Sequence, residues 1–223
     1  ALGWNPLPLT IKEGRRFASQ VPRHEGTPAE AECRGMGRRG RRPRNGHRKL
    51  GDPRHARFAI QDLHYAYNGK PVLQGIDLEI ESGELVALMG RNGSGKTTLL
   101  KCVVGLLEPE HGGIRMDDES LVGQKTAEIS RQVGYLPQDP GDLLFADTVR
   151  DELAVTLRNH DLLSAPPVEP DDLLARLDLD RVKAAYPRDL SAGQRQRVAL
   201  GAITVTKPRL LLLDEPTRGL DYE

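Results

Sequence analysis

Aromatic residues are scarce in this sequence: Phe, Trp and Tyr make up 4% of its 223 residues, and hydrophobic residues together 38%. That composition is lean for a chain packed from end to end. Two cysteines, Cys33 and Cys102, are too few for a disulfide scaffold or a cysteine-based zinc site, so we expect ordinary reduced thiols. Long apolar runs are also absent, since the run at 210–213 is typical and a membrane span requires about 18–20 residues. The sequence therefore excludes a spanning segment within these residues and a fold held by disulfides.

The formal net charge of zero is a cancellation between two unlike parts of the chain. Residues 1–57 contain 14 Lys and Arg against five Asp and Glu, whereas residues 58–223 contain 18 against 27. Residues 26–53 are rich in Gly, Pro and Arg and lack apolar periodicity, which predicts a disordered tail or an inter-domain linker. The arginines at 34–48 are able to bind nucleic acid or anionic lipid only without sequence specificity, because no aromatic residues are interleaved to stack on bases. We favour a solvated linker.

Ordered structure is expected from about Phe58. Alternating apolar residues predict strands over 58–67 and 72–80, joined at the turn signal Asn68-Gly69. The short apolar run at 84–89 predicts a buried strand that follows them.

A glycine-rich loop comes directly after this run. Residues 90–97 read GRNGSGKT and fit the pattern G-x-x-x-x-G-K-[ST] in full. The glycines allow successive N–H groups to turn inward, and a helix predicted over about 97–104 aims its N-terminus at the same point. The segment therefore predicts a site for the phosphates of a nucleotide.

Further motifs follow in a fixed order. They are GYLPQ at 134–138, LSAGQRQRV at 190–198, LLLLDEPT at 210–217 and GLD at 219–221. With the glycine-rich loop, they resemble the Walker A, Q-loop, signature, Walker B and D-loop motifs of ABC transporter ATPase subunits. The resemblance covers residues 58–223, and its one departure within a motif is Ala192, where the family more often has Gly. It implies an α/β fold with a P-loop NTPase (RecA-like) core, an N-terminal antiparallel β subdomain and a small α-helical signature subdomain at about 139–195.

The resemblance also implies ATP and Mg²⁺ as cofactors and gives individual residues a role. Glu215 is expected to polarise the attacking water, Gln138 to sense that water and the metal, and Lys96 to reach the β- and γ-phosphates. The expected Mg²⁺ ligands are Thr97, Gln138 and Asp214. Tyr67 is expected to stack on adenine, with Tyr65 as its competitor on the same strand face. The residues expected to contact the nucleotide are Tyr67, Gly90, Asn92, Gly93, Ser94, Gly95, Lys96, Thr97, Thr98, Ser191, Gly193 and Gln194.

In the resembled family the signature residues act on a second unit. Ser191, Gly193 and Gln194 lie at a predicted helix start, where free N–H groups favour anions. The resemblance implies a head-to-tail dimer in which they complete the nucleotide pocket of the partner ATPase unit. Residues 1–57 are interpreted as the tail of a first unit and a linker to this one, so both units could share one chain.

The segment at 139–152 bears on the other partner. It resembles the same stretch of energy-coupling-factor and cobalt-type importers, whose ATPases drive a transmembrane coupling subunit in the transport of vitamins or metal ions. We expect Leu143, Leu144 and Phe145 to dock that subunit, which implies peripheral association with the cytoplasmic face of the membrane. A soluble ABC ATPase acting on ribosomes or nucleic acid is the alternative, supported by the arginine-rich segment.

Residues 1–223 also appear incomplete against the family pattern, because none of the six histidines matches the family's switch histidine. We expect the sequence as it stands to hydrolyse little ATP.

Overall fold

The computed structural model describes residues 56–217 of the chain. Its first layer is an antiparallel sheet of strands β1 Ala56–Tyr67, β2 Lys70–Glu81, β3 His111–Met116 and β4 Glu119–Ser120. The four strands lie in the order β2-β1-β3-β4. The predicted hairpin of β1 and β2 is confirmed, and Asn68 (φ 49°) and Gly69 (φ 77°) both take left-handed backbone in its turn. Asn-Gly suits this turn because both residues tolerate positive φ.

The remaining elements form a helical layer and a short parallel sheet. The α-helices are α1 Lys96–Val103, α2 Thr126–Ile129, α3 Val149–Asn159, α4 Pro170–Arg176 and α5 Ala192–Thr204. The parallel strands are β5 Val133–Leu136 and β6 Leu210–Leu213. Short 3₁₀ turns cover Pro140–Leu143, Asp180–Val182 and Pro187–Asp189.

One hydrophobic core lies between the antiparallel sheet and α1. Ile60 and Leu63 of β1 pack there with Leu99 and Val103 of α1, and all four are buried. Leu212 of β6 belongs to the same core. The glycine-rich loop thus leads into a helix whose buried face is fixed by the sheet.

A second core lies within the helical layer. Leu153 and Leu157 of α3 pack with Leu174 of α4 and Val198 of α5, and each is at most 1% exposed. Strand β5 serves both cores, because its first residue, Val133, belongs to the sheet-side core, whereas its last belongs to the helical one. The residues that follow β5 and β6 therefore emerge at the junction of the two cores.

The strand predicted at 84–89 is wrong for this structure. These residues form no strand, and Leu85 and Met89 are 90% and 92% exposed. A strand requires hydrogen bonds to a neighbour, and among residues 56–217 β5 and β6 pair only with each other. An apolar run alone does not supply such a neighbour.

The fold class predicted from the sequence is confirmed as an α/β fold with an antiparallel β layer and a helical layer. Within residues 56–217, no helix is long and apolar enough to cross a membrane.

Candidate functional site

The carboxyl ends of β5 and β6 bring predicted site residues together. The two strands are parallel and pair from Val133 with Leu210 to Leu136 with Leu213, so the chain leaves both at one edge. The backbone N–H of Asp214 donates to the carbonyl of Leu136 at 2.9 Å and extends this pairing by one residue.

Gln138 and Glu215 make direct contact at this edge. The side-chain amide Nε2 of Gln138 donates a hydrogen bond of 2.7 Å to Glu215 Oε2, although the residues are 77 positions apart. Glu215 is exposed and holds left-handed backbone (φ 48°), which costs a non-glycine residue roughly 1–2 kcal/mol. Such a conformation persists only where its surroundings fix it, and the amide of Gln138 is one of the groups that do so.

Asp214 directly precedes Glu215 in the chain. It is 4% exposed, and its Oδ2 atom is buried without a hydrogen-bond partner. A buried acceptor without a donor costs about 1–3 kcal/mol, and an oxygen-binding cation such as Mg²⁺ would satisfy it. Burial, followed by the negative charges of Asp214 and Asp142, raises the pKa of the nearby Tyr135 hydroxyl to about 12. The unpartnered carboxylate oxygen of Asp214 is thus compatible with a divalent metal at this edge.

The turn that carries Asp214 and Glu215 has a second support that sequence reasoning missed. Gln196 of α5 is buried, and its Nε2 donates to the carbonyl of Pro216 at 3.2 Å. The signal in the sequence is a glutamine on the face that α5 buries together with Ala199 and Ala202. A buried amide on such a face needs a polar partner.

The glycine-rich loop turns into α1 as predicted. Gly95, at the N-cap, has φ 94°, and no acidic residue lies in the first turn, so the helix end is suited to an anion. A Cβ added at Gly90 would lie 2.6 Å from Ser94 Oγ, so a larger residue there would require the Ser94 hydroxyl to move. The Lys96 ammonium donates to the carbonyls of Gly90 and Arg91 at 3.0 and 3.2 Å. Lys96 is therefore folded over the loop whose anion it is expected to bind.

The other predicted members of this loop lie in the same turn. Asn92 and Gly93 are exposed, Thr97 is half-buried in α1, and the next residue, Thr98, is buried. Asn92 and Thr97 are therefore accessible to a ligand, whereas the side chain of Thr98 is not. Among residues 56–217, no three His, Cys, Asp or Glu side chains are grouped so as to hold a metal ion. A metal here would need water and ligand oxygens in addition to Asp214.

The N-terminus of α5 is closed by its own side chains. Ser191 is the N-cap: its Oγ accepts from the Gln194 N–H at 3.3 Å, and Gln194 Oε1 accepts from the Ser191 N–H at 3.0 Å. This capping box satisfies two of the free donors at the helix start. The half-buried Gly193 lies within the same turn.

Tyr67 and Tyr65 stand in an edge-to-face contact with ring centroids 4.9 Å apart. Tyr65 packs against the sheet-side core, whereas Tyr67 is 43% exposed. Of the two rings, that of Tyr67 is the more exposed.

The predicted docking residues Leu143, Leu144 and Phe145 differ in exposure. Leu144 is 2% exposed and belongs to the helical core, so its predicted role in docking is wrong. The hydrophobic pattern did not separate a core leucine from a surface one. Leu143 is half-buried, and Phe145 is 77% exposed. Phe145 is therefore the large apolar side chain that this segment offers to a partner.

Some sequence predictions fall outside the described residues. They concern the basic tail or linker up to residue 55, with Cys33 and the arginines at 34–48, and the D-loop at 219–221.

Comparisons with known proteins bear on this site. The family described as ABC transporter matches residues 73–218. A Streptomyces coelicolor protein named as an ABC transporter ATP-binding protein is 40% identical over 99% of this chain and 41% of its own length. The energy-coupling factor transporter ATP-binding protein EcfA1 of Leuconostoc mesenteroides is 36% identical over 73% of this chain and 60% of its own.

A solved structure agrees with these sequences. CbiO1 from Clostridium perfringens, described as part of the ABC transporter complex CbiONQ, superposes with a TM-score of 0.65 at 32% identity. The match covers 75% of this chain and 68% of that one. The chain thus spans about two-fifths of the length of the Streptomyces relative.

Proposed function

Because this chain belongs to the ABC transporter ATP-binding family, we propose that it binds and hydrolyses ATP with Mg²⁺ to power transport across a membrane. The observation that carries the proposal is the contact of Gln138 with Glu215 beside the unpartnered oxygen of Asp214. A surface carboxylate and a neutral amide can orient a water molecule, and a buried acid can hold a metal, which supports transfer of a phosphoryl group to water.

Each site residue has a proposed role that follows from its position. Lys96 exchanges its contacts with the Gly90 and Arg91 carbonyls for phosphate oxygens, and the first turn of α1 donates N–H groups to the same phosphates. Mg²⁺, held by Thr97 and Asp214 with Gln138 nearby, would neutralise charge on the phosphates. Glu215 orients the attacking water in line with the γ-phosphorus and takes its proton as the new P–O bond forms, while the bond from the γ-phosphorus to the β,γ-bridging oxygen breaks and ADP leaves.

A second ATPase unit completes the site in this proposal. Ser191, Gly193 and Gln194 present the N-terminus of α5 to the nucleotide bound by the other unit, and Tyr67 stacks on adenine. ATP then favours the closed pair because it contacts both units, and hydrolysis removes that preference. Residues 1–57 are proposed to join this unit to a preceding one.

The transport class that we propose is import of the energy-coupling-factor type, with a vitamin or a metal ion as cargo. The names of the EcfA1 and CbiO1 relatives support it. The exposed Phe145 supplies an apolar contact for a transmembrane coupling subunit. The protein would then work at the cytoplasmic face of the membrane as a peripheral subunit.

The substitution Glu215→Gln tests the proposed base. It keeps an oxygen that accepts the hydrogen bond from Gln138 but removes proton uptake. In single-turnover reactions, which resolve the slow rate expected of the parent sequence, phosphate release should fall by about 10²–10⁴-fold. Binding of ATP, measured by equilibrium dialysis, should be unchanged.

The matched control is Glu79→Gln on β2, which neutralises an exposed glutamate away from this edge. It should leave the rate of phosphate release unchanged. Equal turnover in Glu215→Gln and the parent protein would contradict the role of Glu215 as the base.

A further inference from the structure

The backbone is held in place on both sides of the exposed Phe145. On one side, Leu144 is buried in the helical core. On the other, the backbone N–H of Ala146 donates to the side chain of Glu152 at 2.7 Å. A loop with a large apolar side chain in water is thus held both before and after that side chain.

Glu152 is an unusual residue to find in this position. It lies on the buried face of α3 with Val149 and Leu153 and is only 3% exposed. Burial raises the pKa of its carboxyl group, while the backbone N–H groups of Ala146 and Phe145 act in the opposite direction. A buried carboxylate is costly unless its oxygens are bonded, so its burial here is tied to the loop amides.

The hydrogen bond from the Ala146 N–H to Glu152 links α3 to the loop that precedes it. It is not part of the N-terminal cap of the helix. Capping of α3 is done by Thr148, whose side chain accepts from the Asp151 N–H at 3.1 Å. The helix therefore does not need Glu152 for its N-terminus, and the carboxylate is free to fix the backbone at residues 145 and 146.

We infer that Glu152 is a positioning residue that clamps the loop at 145–146 and so presents Phe145 to the transmembrane subunit. The inference rests on the proposed function for the partner, but the clamp itself is a property of this chain. The two residues then have different roles in docking. Phe145 contacts the transmembrane subunit, and Glu152 fixes the position of Phe145.

The clamp is tested by hydrogen exchange on the full chain with the variants Glu152→Gln and Glu152→Met. Glutamine keeps an oxygen acceptor for the Ala146 N–H, whereas methionine has a similar size and lacks one. We expect methionine to speed exchange of the Ala146 amide by about tenfold or more, and glutamine to stay within about threefold of the parent. Exchange in α5 should not change in either variant, and unchanged exchange at Ala146 in Glu152→Met would overturn the inference.

The link to docking is tested by a double-mutant cycle. The probe is a transmembrane coupling subunit of an energy-coupling-factor transporter, purified in detergent and titrated with the parent protein and the variants. Phe145→Ala should weaken binding by about tenfold, as expected for truncation of an aromatic anchor. Glu152→Met should weaken it by about three- to tenfold in the parent background and have no further effect in Phe145→Ala.

The outcomes separate this inference from the proposed function. If the parent protein does not bind the probe, the proposed partner is wrong, and the exchange data still decide the clamp. If Phe145→Ala weakens binding but Glu152→Met does not, the partner stands and the positioning role is wrong. Equal losses from Glu152→Met in both backgrounds would mean that the residue acts on stability and not through Phe145.

Discussion

Two glutamine side chains hold the turn that carries Asp214 and Glu215. Gln138 donates to the Glu215 carboxylate, and Gln196 donates to the carbonyl of Pro216. One amide reaches the turn from the end of β5 and the other from α5, so the strained backbone at Glu215 is fixed from two sides.

Loss of the Gln196 amide should therefore disturb catalysis without touching the nucleotide. In Gln196→Met we expect phosphate release to fall by about tenfold, because small displacements of a reacting group are costly. The dissociation constant for ATP should remain the same. Gln124→Met is a suitable control, since it removes a side-chain amide that bonds to Glu119 and Ser120, in β4. An unchanged rate in Gln196→Met would show that Gln138 suffices to hold the turn.

Cys102 should be unreactive in the folded protein. Burial raises its thiol pKa from 9.0 to about 11, so only about 0.1% of the group is thiolate at pH 8. At pH 8 we expect iodoacetamide to leave Cys102 unmodified in the folded protein and to alkylate it fully in urea. Mass spectrometry of the peptide that contains Cys102 measures both. Because the folded pKa is the higher one, the thiol makes the free energy of unfolding decrease as pH rises from about 9 to about 11. Rapid labelling of Cys102 in the folded protein would contradict this burial.

At the scale of elements, α3 and α5 both begin with a side-chain N-cap, but only the N-terminus of α5 has a proposed role in binding nucleotide. Thr148 caps α3, and Ser191 caps α5 through the reciprocal bonds with Gln194. In the proposed function only the α5 cap must open, since its donors are to meet the nucleotide of a second unit.

Alanine substitutions of the two caps separate stability from function. Ser191→Ala and Thr148→Ala should each lower the free energy of unfolding by about 0.5–2 kcal/mol, as measured by urea denaturation. Only Ser191→Ala should weaken the ATP-dependent association of two units. This association is measured by static light scattering, with both variants made in the Glu215→Gln background. Equal association of both variants would argue against a role for the α5 terminus in the pair.

The apolar run at 84–89 and the hairpin of β1 and β2 show what an element needs. The hairpin was predictable because Asn68-Gly69 sets the turn and the neighbouring strand follows directly in sequence. The run at 84–89 has the composition of a strand, but pairing depends on residues distant in sequence. The loop at 90–97 was predictable for the same local reason as the hairpin, since its glycines specify the backbone.

Across the whole molecule, β5 couples two cores that are otherwise distinct. Because Val133 packs with the sheet side and Leu136 with the helical side, loosening one core reaches the other through a four-residue strand. We therefore expect the described residues to unfold as one cooperative unit.

A substitution in the helical core tests this coupling. Leu174→Ala removes a fully buried side chain and should lower the free energy of unfolding by about 2–5 kcal/mol. The urea midpoints from circular dichroism and from hydrogen exchange in β1 should shift together. Leu163→Ala, at a 47% exposed position, should change stability by no more than about 0.5 kcal/mol. A midpoint for β1 that stays in place would show that the two cores unfold separately.

Short motifs in the sequence mark the candidate site residues but not the side chains that support them. The motif residues are recognisable from short patterns, and the structure brings Gln138 and Glu215 into contact although nothing in their spacing measures that distance. Gln196 and Glu152 were missed because periodicity shows that a position is buried, not which backbone group a polar side chain meets there. Leu144 was assigned to docking because a short apolar cluster does not separate a core leucine from a surface one.

The run of four leucines in β6 limits which insertions and deletions this chain can accept. Four identical side chains do not distinguish one alignment against β5 from the next, so the alignment is specified at the ends of the strand. Arg209 bonds to Asp117 and Gln132 before the run, and the Asp214 N–H bonds to Leu136 after it. Deletion of a single leucine would exchange the faces taken by Asp214 and Glu215, while the strand itself would still look intact. Surface loops generally tolerate insertions and deletions. In β6, by contrast, the number of leucines determines which way Asp214 and Glu215 face.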